Sequence, residues 1–538
     1  MIRFILIYLL LGKVWCSQEP EKSTYISEIK PTTNEVVDAL QSSETFEKEN
    51  HTQEALDSTV IKNFLVKFPE FTTFKKDLLL FYNQRGFSCA WLHENDIAEH
   101  TFALYNKVLQ LIDHGIPYNA PYLNQFKSIL ENKNEDVHVV NEKELLISCH
   151  YLYFINSINT SITEKDIESL AWYIRKKRID PQKMFETLIS DSSKIGTAEL
   201  YPQYYKLLEG FKTYLTAEKS GQWRIIYTNK KKFNLLDTAD EIKRIRKNLY
   251  LLGDLHIDSG EGIYDTAMTV GVNSFQQRHG LKIQTTIEMG FIRMMNVPLQ
   301  ERIKQILINM ERCKWLPNET SSDYIVVNIP QYSLYVYTAD SLVFNCKVVV
   351  GKETNRTMIF KGDMKFVVFS PYWNVPESIL KNEIIPAIQR NPNYLNDNNM
   401  EWYNGRIRQR PGETNALGRV KFLFPNVFNI YLHDTPSKSL FEFEKRTFSH
   451  GCIRISEPKK LAQFLLRKNP SWDEQRITDA MLSGVEKTVK LDKGIPVYVI
   501  YLTSFADERG TLNFREDVYG RDEALKEMLF DKKPLQLD

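Results

Sequence analysis

The sequence has almost no net charge: 69 lysine and arginine residues stand against 68 aspartate and glutamate residues, a formal charge of +1. Nucleic-acid binders carry a basic stripe or patch, and acidic interaction tails carry long runs of one sign. We therefore expect no nucleic-acid partner. The composition, 43% apolar and 25% charged, is that of an ordinary globular protein. A chain of 538 residues exceeds one hydrophobic core, so about two to four domains are expected.

The N-terminal apolar run, residues 4–11, is too short to cross a bilayer, which takes about 20 residues. Because the run follows Arg3 and precedes a polar stretch, residues 1–16 are predicted to be a secretory signal peptide. Two alternatives stay open. The segment could remain uncleaved and tether the protein to the membrane, or Cys16 could be a lipoprotein acylation site, although bulky residues precede it.

Cysteine is scarce, with six residues in the chain. Removal of residues 1–16 would leave cysteines at positions 89, 149, 313, 346 and 452. An odd number of cysteines in an exported protein leaves at least one thiol unpaired. Either all of these thiols are buried and inert, or one is kept free because it is the catalyst. The sequence does not show whether Cys313 and Cys346 pair.

Hydrophobic patterning divides the first half of the chain into three segments. Residues 17–58 are polar and cannot bury enough surface to offset the entropy of ordering, so they are predicted to be a disordered tether. Residues 59–230 have helical apolar spacing and are predicted to form a helical scaffold domain. Residues 240–297 are predicted to form a small helical module. His150, on an apolar helix, is interpreted as a core histidine rather than a ligand.

The period changes to that of β-strands from Tyr324 onward, with short β-branched and aromatic runs bounded by turn residues. This pattern is typical of a sandwich or barrel. Residues 322–503 are therefore predicted to be a β-rich mixed domain, followed by a C-terminal tail at 504–538. A strand is expected over 427–432. The predicted fold class is a multi-domain α+β protein.

A long insertion, residues 377–418, interrupts the β-rich pattern and contains three alternating arginines, Arg406, Arg408 and Arg410. An insertion of this length inside a compact domain is usually a lid or a binding element, or else is disordered. The pattern by itself leaves these alternatives open.

Two runs contain the residues with the clearest chemistry: His433-Asp434 and Ser449-His450-Gly451-Cys452-Ile453-Arg454. A cysteine attacks as the thiolate, and a free thiol with a pKa of about 8.5 is only slightly ionised at neutral pH. A nearby imidazole can take the proton, and the charge of Arg454 would favour the thiolate. Gly451 lets a substrate approach the backbone, whose N–H groups would hold a tetrahedral oxyanion, a contribution of about 3–4 kcal/mol per donor. A helix is predicted over 456–467 with Ser456 as its N-cap.

The order of these runs, a histidine and then Ser-His-Gly-Cys after fifteen intervening residues, resembles the signature of the YkuD-type L,D-transpeptidase catalytic domain. Further runs resemble the long, multi-domain periplasmic branch of that family: 309–317, 371–376, 415–422, 431–436 and 517–522. Residues 275–281 are similar to a peptidoglycan-binding-domain signature. The turn that usually follows that signature contains Asp-Gly, and residues 282–286 depart from it.

The resemblance assigns expected roles residue by residue. Cys452 matches the nucleophile, and His433 matches the base, its ring oriented by the backbone carbonyl of Asp434. The expected site-shaping and substrate-binding residues are Ser449, His450, Gly451, Asp434, Arg454 and Trp373. Alternatives stay open for several of them: His450 as the base, a contribution of the Asp434 carboxylate, Arg454 as a loop anchor, and Trp373 as a core residue.

The resemblance also implies that residues 377–418 are a lid that closes over the bound stem, and it implies the reaction. A tetrapeptide stem of peptidoglycan would acylate the cysteine, and the side-chain amine of a neighbouring stem would resolve the thioester as a 3→3 cross-link in the periplasm. Carbapenem-type β-lactams would be covalent inhibitors. No cofactor is implied, and the sequence has no ligand cluster with the spacing of a zinc site. Alternatives are an L,D-carboxypeptidase or D-amino-acid exchange enzyme, and an inactive wall-binding scaffold. A papain-like protease fits poorly, because its nucleophile lies far upstream of its histidine.

Overall fold

The computed structural model describes residues 56–93, 96–113, 120–131, 140–159, 164–174, 180–192, 200–317 and 322–531. The predicted signal peptide and almost all of the predicted tether lie outside these ranges. No helix within them is both long enough and apolar enough to cross a membrane. The described part of the chain divides into two compact units. The first comprises the described residues within 56–105 and 120–153 together with 530–531, and the second comprises the described residues within 106–113 and 154–529.

Helices occupy most of the first half of the described chain and recur in short pieces after it. In chain order they are α1 Ser58–Lys67, α2 Lys75–Gln84, α3 Glu99–Asp113, α4 Leu123–Leu130, α5 Val140–Asn159, α6 Glu164–Ser169, α7 Pro181–Ser190, α8 Gln203–Lys219, α9 Asp240–Leu251, α10 Thr266–Arg278, α11 Met289–Met295, α12 Leu299–Lys314, α13 Glu377–Ile379, α14 Ile385–Arg390, α15 Tyr394–Asp397, α16 Pro458–Leu466, α17 Glu474–Leu482 and α18 Arg521–Lys526.

Strands are concentrated after residue 322. In chain order they are β1 Leu92–His93, β2 Asp96–Ile97, β3 Trp172–Tyr173, β4 Lys232–Phe233, β5 Ile287–Glu288, β6 Asp323–Asn328, β7 Ser333–Thr338, β8 Ser341–Gly351, β9 Ile359–Phe369, β10 Trp373–Asn374, β11 Met400–Tyr403, β12 Arg406–Gln409, β13 Val420–Leu423, β14 Leu432–His433, β15 Thr447–Ser449, β16 Ile453–Ile455, β17 Lys487–Ile500, β18 Ser504–Ala506 and β19 Leu512–Phe514.

The first unit is helical, with an aromatic core. His150 is fully buried there, and its ring stacks on Phe126 with the centroids 4.8 Å apart. Burial lowers the pKa of His150 to about 3, so the ring is neutral. The buried Glu144 carboxylate accepts hydrogen bonds from the Tyr82 hydroxyl and the Trp91 backbone N–H, which satisfy its charge. The interpretation of His150 as a core residue is confirmed.

The second unit begins with helices that include the predicted small module. Helices α9, α10 and α11 pack around a cluster that contains Ile245, Val272 and Phe291. In the run that resembles a peptidoglycan-binding signature, Arg278 is buried and forms an ion pair of 2.6 Å with Asp254. Two residues prominent in that run, Arg278 and the equally buried His279, therefore hold the fold together rather than face solvent.

The rest of this unit is built around a mixed sheet whose strands run in the order β13–β14–β16–β8–β7–β6–β17–β9. Strand β13 pairs with both β14 and β9, so these eight strands close into a ring. Every second side chain of β7 is buried in its first four positions, and β8 alternates similarly through its middle. This alternation is what a closed sheet around a filled core requires. The predicted β-rich domain is confirmed, and the closing β13–β9 pair makes it a barrel.

The insertion at 377–418 has its own small structure beside the barrel. Strands β11 and β12 form a hairpin whose turn residues Asn404 and Gly405 have φ of 49° and 74°, as a type I′ turn requires. Short helices α13 to α15 pack on the hairpin around a separate apolar cluster, which consists of Val375, Ile379, Ile384, Met400 and Ile407. Buried Asn415 ties the end of the insertion to the Pro371 carbonyl with a 3.0 Å hydrogen bond.

Two of the three alternating arginines share one carboxylate. Glu401 accepts hydrogen bonds from Arg408 and Arg410 at 2.7 and 2.6 Å. The Arg408 guanidinium also lies 3.9 Å from the ring centroid of Tyr372 and 3.5 Å from that of Tyr403. These contacts brace the hairpin, so Arg408 has a structural role in the insertion.

Two details of the C-terminal part of the chain differ from the predictions. The helix predicted from Ser456 begins at Pro458, because the Ser456 hydroxyl accepts a hydrogen bond from the Lys347 backbone N–H instead of capping the helix. The segment predicted as a tail contains the β18–β19 hairpin, helix α18 and a buried tyrosine, Tyr519.

Candidate active site

His433 ends strand β14, and Cys452 directly precedes strand β16, which pairs with β14 in parallel. Strand β14 pairs with β16 with Leu432 opposite Ile453 and His433 opposite Arg454. Side chains alternate between the two faces of a sheet, so Cys452, one residue before Ile453, lies on the same face as His433 and Arg454. From the strand spacing and the rise per residue, the Cα atoms of His433 and Cys452 are about 8 Å apart on the diagonal.

The segment that precedes strand β14 differs from the prediction. A strand was expected over 427–432, but residues 427–428 form a turn and strand β14 contains only Leu432 and His433. Asn426 stabilises the turn, its side chain bonding to the Ile430 carbonyl at 2.7 Å. Asn429 has a φ of 53°, and its carbonyl oxygen lies 3.7 Å from the Cys452 Sγ atom. The turn thus brings backbone polar groups to the thiol.

Tyr431 lies directly beside Cys452. The Ile453 N–H donates to the Tyr431 carbonyl at 3.1 Å, and the polar groups of Tyr431 act to lower the pKa of the Cys452 thiol. The Tyr431 ring also packs near His433, with the centroids 5.7 Å apart. Tyr431 therefore lies beside both the Cys452 thiol and the His433 imidazole.

The loop that carries Cys452 is held by hydrogen bonds on both sides. The Ser449 hydroxyl donates to the Cys452 carbonyl at 2.5 Å and accepts from the Gly451 N–H at 3.2 Å. From the other side, the buried Thr357 hydroxyl donates to the Gly451 carbonyl at 2.8 Å. Gly451 has a φ of 114°, a conformation that side-chain-bearing residues rarely adopt. The glycine in the run is therefore required by the backbone of this loop.

Burial determines the charge state of both partners. It lowers the pKa of His433 to about 3, with a further lowering by the charge of Arg454. Burial raises the pKa of the Cys452 thiol, while the polar groups of Tyr431 and the charge of Arg454 act in the opposite direction. As predicted, the charge of Arg454 lowers the pKa of the Cys452 thiol, but burial raises this pKa by more. The resting pair is a neutral thiol and a neutral imidazole.

Asp434 contributes its carbonyl oxygen to the imidazole. His433 Nδ1 lies 2.5 Å from the Asp434 carbonyl oxygen, the contact that the resemblance implies. The Asp434 carboxylate points elsewhere: it accepts from the Arg419 N–H at 2.8 Å and from the Lys438 side chain. The carbonyl contact makes Nδ1 the protonated nitrogen, which leaves Nε2 to act as the base.

The remaining predicted site residues lie in different surroundings. His450 is partly exposed, and its Nε2 atom is 2.8 Å from Glu383 Oε1, in the insertion. Arg454 is half-buried, and its Nε atom has no hydrogen-bond partner among the described residues. Trp373 packs against the apolar cluster of the insertion, which agrees with the alternative that it is a core residue.

Cysteine pairing, left open by the sequence, is resolved for the described part of the chain. Cys89, Cys149, Cys313, Cys346 and Cys452 are all free thiols. Burial raises the pKa of Cys313 and Cys346, the latter to about 11, so both are poor nucleophiles.

Two protein-family models match parts of this chain. Residues 322–498 match the model of the L,D-transpeptidase catalytic domain, YkuD, and residues 76–210 match the model of the Scaffold domain. Residues 322–498 thus match an L,D-transpeptidase catalytic domain of the YkuD type. The barrel, the His433 strand and the Cys452 loop all lie within the first match.

A curated putative L,D-transpeptidase from Haemophilus influenzae is 30% identical over 240 residues, which are 41% of this chain and 48% of that protein. The alignment thus spans about half the length of the relative. An L,D-transpeptidase structure from Mycobacterium smegmatis shares 15% identity, covers 34% of this chain and 60% of its own, and has a TM-score of 0.19. The Ldtfm–avibactam carbamoyl enzyme shares 13% identity, with coverages of 34% and 49% and a TM-score of 0.19. The family model and the curated relative, rather than these distant structures, support membership of the YkuD family for residues 322–498.

Sequence reasoning missed three residues of this L,D-transpeptidase domain. Tyr431 precedes His433 by two positions, and the two-residue period of a strand was the available signal for placing it on the same face. Thr357 and Glu383 are distant in sequence from the Ser-His-Gly-Cys run, and no local pattern indicated that either would meet it.

Proposed function

We propose that the protein is a peptidoglycan L,D-transpeptidase in which Cys452 is the nucleophile and His433 the base. The observation that carries the proposal is the shared face of Cys452, Tyr431 and His433 within a YkuD domain. The neutral resting pair suits a mechanism in which the thiol proton moves to His433 Nε2 as the sulfur attacks. His433 Nδ1–H remains bonded to the Asp434 carbonyl and keeps that tautomer.

In the first half-reaction, the donor is a tetrapeptide stem. Cys452 Sγ attacks the carbonyl carbon of the L-centre of the third, diamino-acid residue, a C–S bond forms, and the terminal D-alanine leaves with the proton from His433. The backbone N–H group of Cys452 would face the developing oxyanion, and removing one such donor typically costs about 3–4 kcal/mol. The half-buried Arg454 guanidinium lies on the same face as Cys452, so its charge would attract a carboxylate of the stem.

In the second half-reaction, the side-chain amine of a neighbouring stem attacks the thioester. The C–N bond forms, the C–S bond breaks, and the thiol is regenerated, which gives a 3→3 cross-link. Glu383 of the insertion contacts His450, two residues before Cys452, so the insertion reaches the margin of this loop. We infer that residues 377–418 act as a lid over the bound stem. Their deletion is expected to lower turnover sharply, and unchanged activity would count against the lid.

A second candidate uses the same acyl-enzyme with water or a free D-amino acid as the acceptor. This reaction would make the protein an L,D-carboxypeptidase or an exchange enzyme. Half-exposed Cys452 is accessible to small nucleophiles, so the acceptor has to be identified from products.

The deciding experiment incubates the purified protein with tetrapeptide muropeptides and reads the products by mass spectrometry. A dimer lighter by one D-alanine than two monomers is expected with the wild type and absent with Cys452→Ala. Cys89→Ala is the matched control, because Cys89 is an exposed thiol elsewhere in the chain. Loss of D-alanine without a dimer would favour the carboxypeptidase, and no turnover by the wild type would favour the inactive scaffold.

Two further parts of the proposal have separate tests. A carbapenem should add its mass to the wild type and not to Cys452→Ala, and an unmodified wild type would contradict covalent inhibition. We also propose that residues 1–16 direct export to the periplasm. Fractionation of cells that express the full chain should recover the protein in the periplasm or on the periplasmic side of the membrane, and cytoplasmic recovery would contradict this.

A further inference from the structure

A carboxylate of the insertion contacts the histidine next to the nucleophile loop. Glu383 Oε1 lies 2.8 Å from His450 Nε2. Both side chains remain accessible to solvent, with 38% of the His450 side chain and 53% of the Glu383 side chain exposed. An exposed ion pair of this kind contributes only about 0–1 kcal/mol to stability. The fold therefore gains little from the pair, and its position two residues from Cys452 suggests a role in the reaction.

The chemistry of the second half-reaction requires a group of this type. An alkylamine with a pKa of about 10.4 is almost entirely ammonium at neutral pH, and an ammonium has no lone pair to attack a thioester. His433 is poorly placed to receive that first proton, because it is buried whereas the ammonium arrives from solvent. An exposed base with an adjacent negative charge is better suited.

The Glu383–His450 pair has the required properties. In neutral His450, Nε2–H donates to Glu383, and Nδ1 carries the lone pair that can accept a proton. The Glu383 carboxylate attracts a cation and stabilises the imidazolium that forms, the role that a carboxylate has beside a catalytic imidazole. By contrast, Glu377 on the same insertion pairs with Lys381 at 2.6 Å, so its charge is already neutralised.

We propose that Glu383 and His450 form the subsite that binds the primary ammonium of the acyl acceptor and removes its first proton. This inference rests on the proposed function and adds the chemical class of the acceptor, a primary alkylammonium. The ammonium loses two protons in forming the amide. The first passes to His450 Nδ1 and on to solvent. The second leaves the tetrahedral intermediate through His433 and restores the Cys452 thiol as the C–S bond breaks.

The test separates acylation from resolution. Wild-type protein, Glu383→Gln, Glu383→Asp and the control Glu377→Gln are acylated with a tetrapeptide stem, and the adduct is followed by intact mass. Each acyl-enzyme is then mixed either with a second stem, which offers a cationic amine, or with hydroxylamine, which is uncharged at neutral pH. The rate of loss of the adduct is measured with each nucleophile.

We expect the acyl-enzyme of Glu383→Gln to react with hydroxylamine at a rate within about twofold of the wild type, and to react with the cationic stem about tenfold or more slowly. Glu383→Asp should recover part of the loss, and Glu377→Gln should behave as the wild type. Equal slowing with both nucleophiles, or no slowing with either, would overturn the inference. A wild type that never acquires the adduct would instead refute the proposed function itself, so the two failures are distinguishable.

Discussion

The hydroxyl of Thr357 donates a hydrogen bond of 2.8 Å to the carbonyl oxygen of Gly451, the residue directly before Cys452. The same hydroxyl accepts from the Gly351 N–H at 2.9 Å. The Tyr519 hydroxyl donates to the Gly351 carbonyl at 2.6 Å and accepts from the Thr357 N–H at 3.2 Å. The loop of the proposed nucleophile is thus fastened to the end of β8 and to the C-terminal segment.

Replacement of Thr357 by Val should loosen this loop while keeping the side-chain shape. A buried carbonyl left without its donor costs about 1–3 kcal/mol of folding free energy, and we expect kcat for donor consumption to fall about tenfold or more with little change in KM. Steady-state kinetics and thermal unfolding measure the two effects. Thr357→Ser should keep kcat close to that of the wild type. Thr354→Val is the matched control, because Thr354 is an exposed threonine in the same segment between β8 and β9 as Thr357. Equal losses in Thr354→Val and Thr357→Val would contradict the positioning role.

Gly418 lies against Asp434 and tolerates no side chain. It has a φ of 63°, and an added Cβ would overlap the Asp434 carboxylate. Gly418→Ala should therefore displace Asp434 and the carbonyl that orients His433, lowering both stability and activity. Gly405→Ala is the control, because Gly405 also has a positive φ, 74°, but open space around it. We expect the control to lose about 1–2 kcal/mol from the backbone alone and to retain its activity. Similar activity losses in both variants would argue against the overlap.

The neutral thiol of Cys452 predicts its reactivity toward alkylating agents. Because burial raises its pKa, the thiolate fraction should keep rising by about tenfold per pH unit across pH 7 to 9. Alkylation by iodoacetamide, mapped to Cys452 by mass spectrometry at each pH, should show no plateau in that range. Free glutathione provides the unperturbed reference. A plateau at or below pH 7 would reveal a preformed thiolate–imidazolium pair.

Buried His433 predicts a loss of stability in acid. Its pKa is about 3 in the folded protein against 6.5 for the unperturbed group, so below pH 6.5 the unfolded chain binds a proton that the folded chain does not. Stability should therefore fall as pH drops from about 6.5 toward 3, by about 2 kcal/mol between pH 6.5 and pH 5.

The measurement is thermal unfolding of the wild type and of His433→Asn at pH 7 and pH 5. The variant should lose less stability on acidification than the wild type. His150, with a pKa of about 3 in the other unit, provides an independent comparison through His150→Asn. An identical pH dependence in all three proteins would show that buried imidazoles do not govern the acid response.

Local patterns predicted much of this protein. The two-residue period after Tyr324 indicated the β-rich domain, and apolar spacing indicated the helical segments before it. The position of Cys452 at the end of a loop that precedes a helix also followed from the sequence, whereas the strand Ile453–Ile455 did not. The errors lie where tertiary contacts override local preference: Ser456 bonds to a neighbouring strand instead of capping a helix, and the apolar run at 427–432 folds as a turn because Asn426 bonds to the Ile430 carbonyl.

By itself, the sequence determined the chemistry available to the site: a thiol, an imidazole and a glycine in the order of the YkuD signature. Only the tertiary structure decided how that chemistry is held. The parallel pairing of β14 with β16 gives His433 and Cys452 a common face, and Thr357 and Glu383 reach the loop from positions about 95 and 70 residues away in sequence. Such contacts depend on strand register and on the closure of a ring, which join distant segments and leave no periodic trace in the chain.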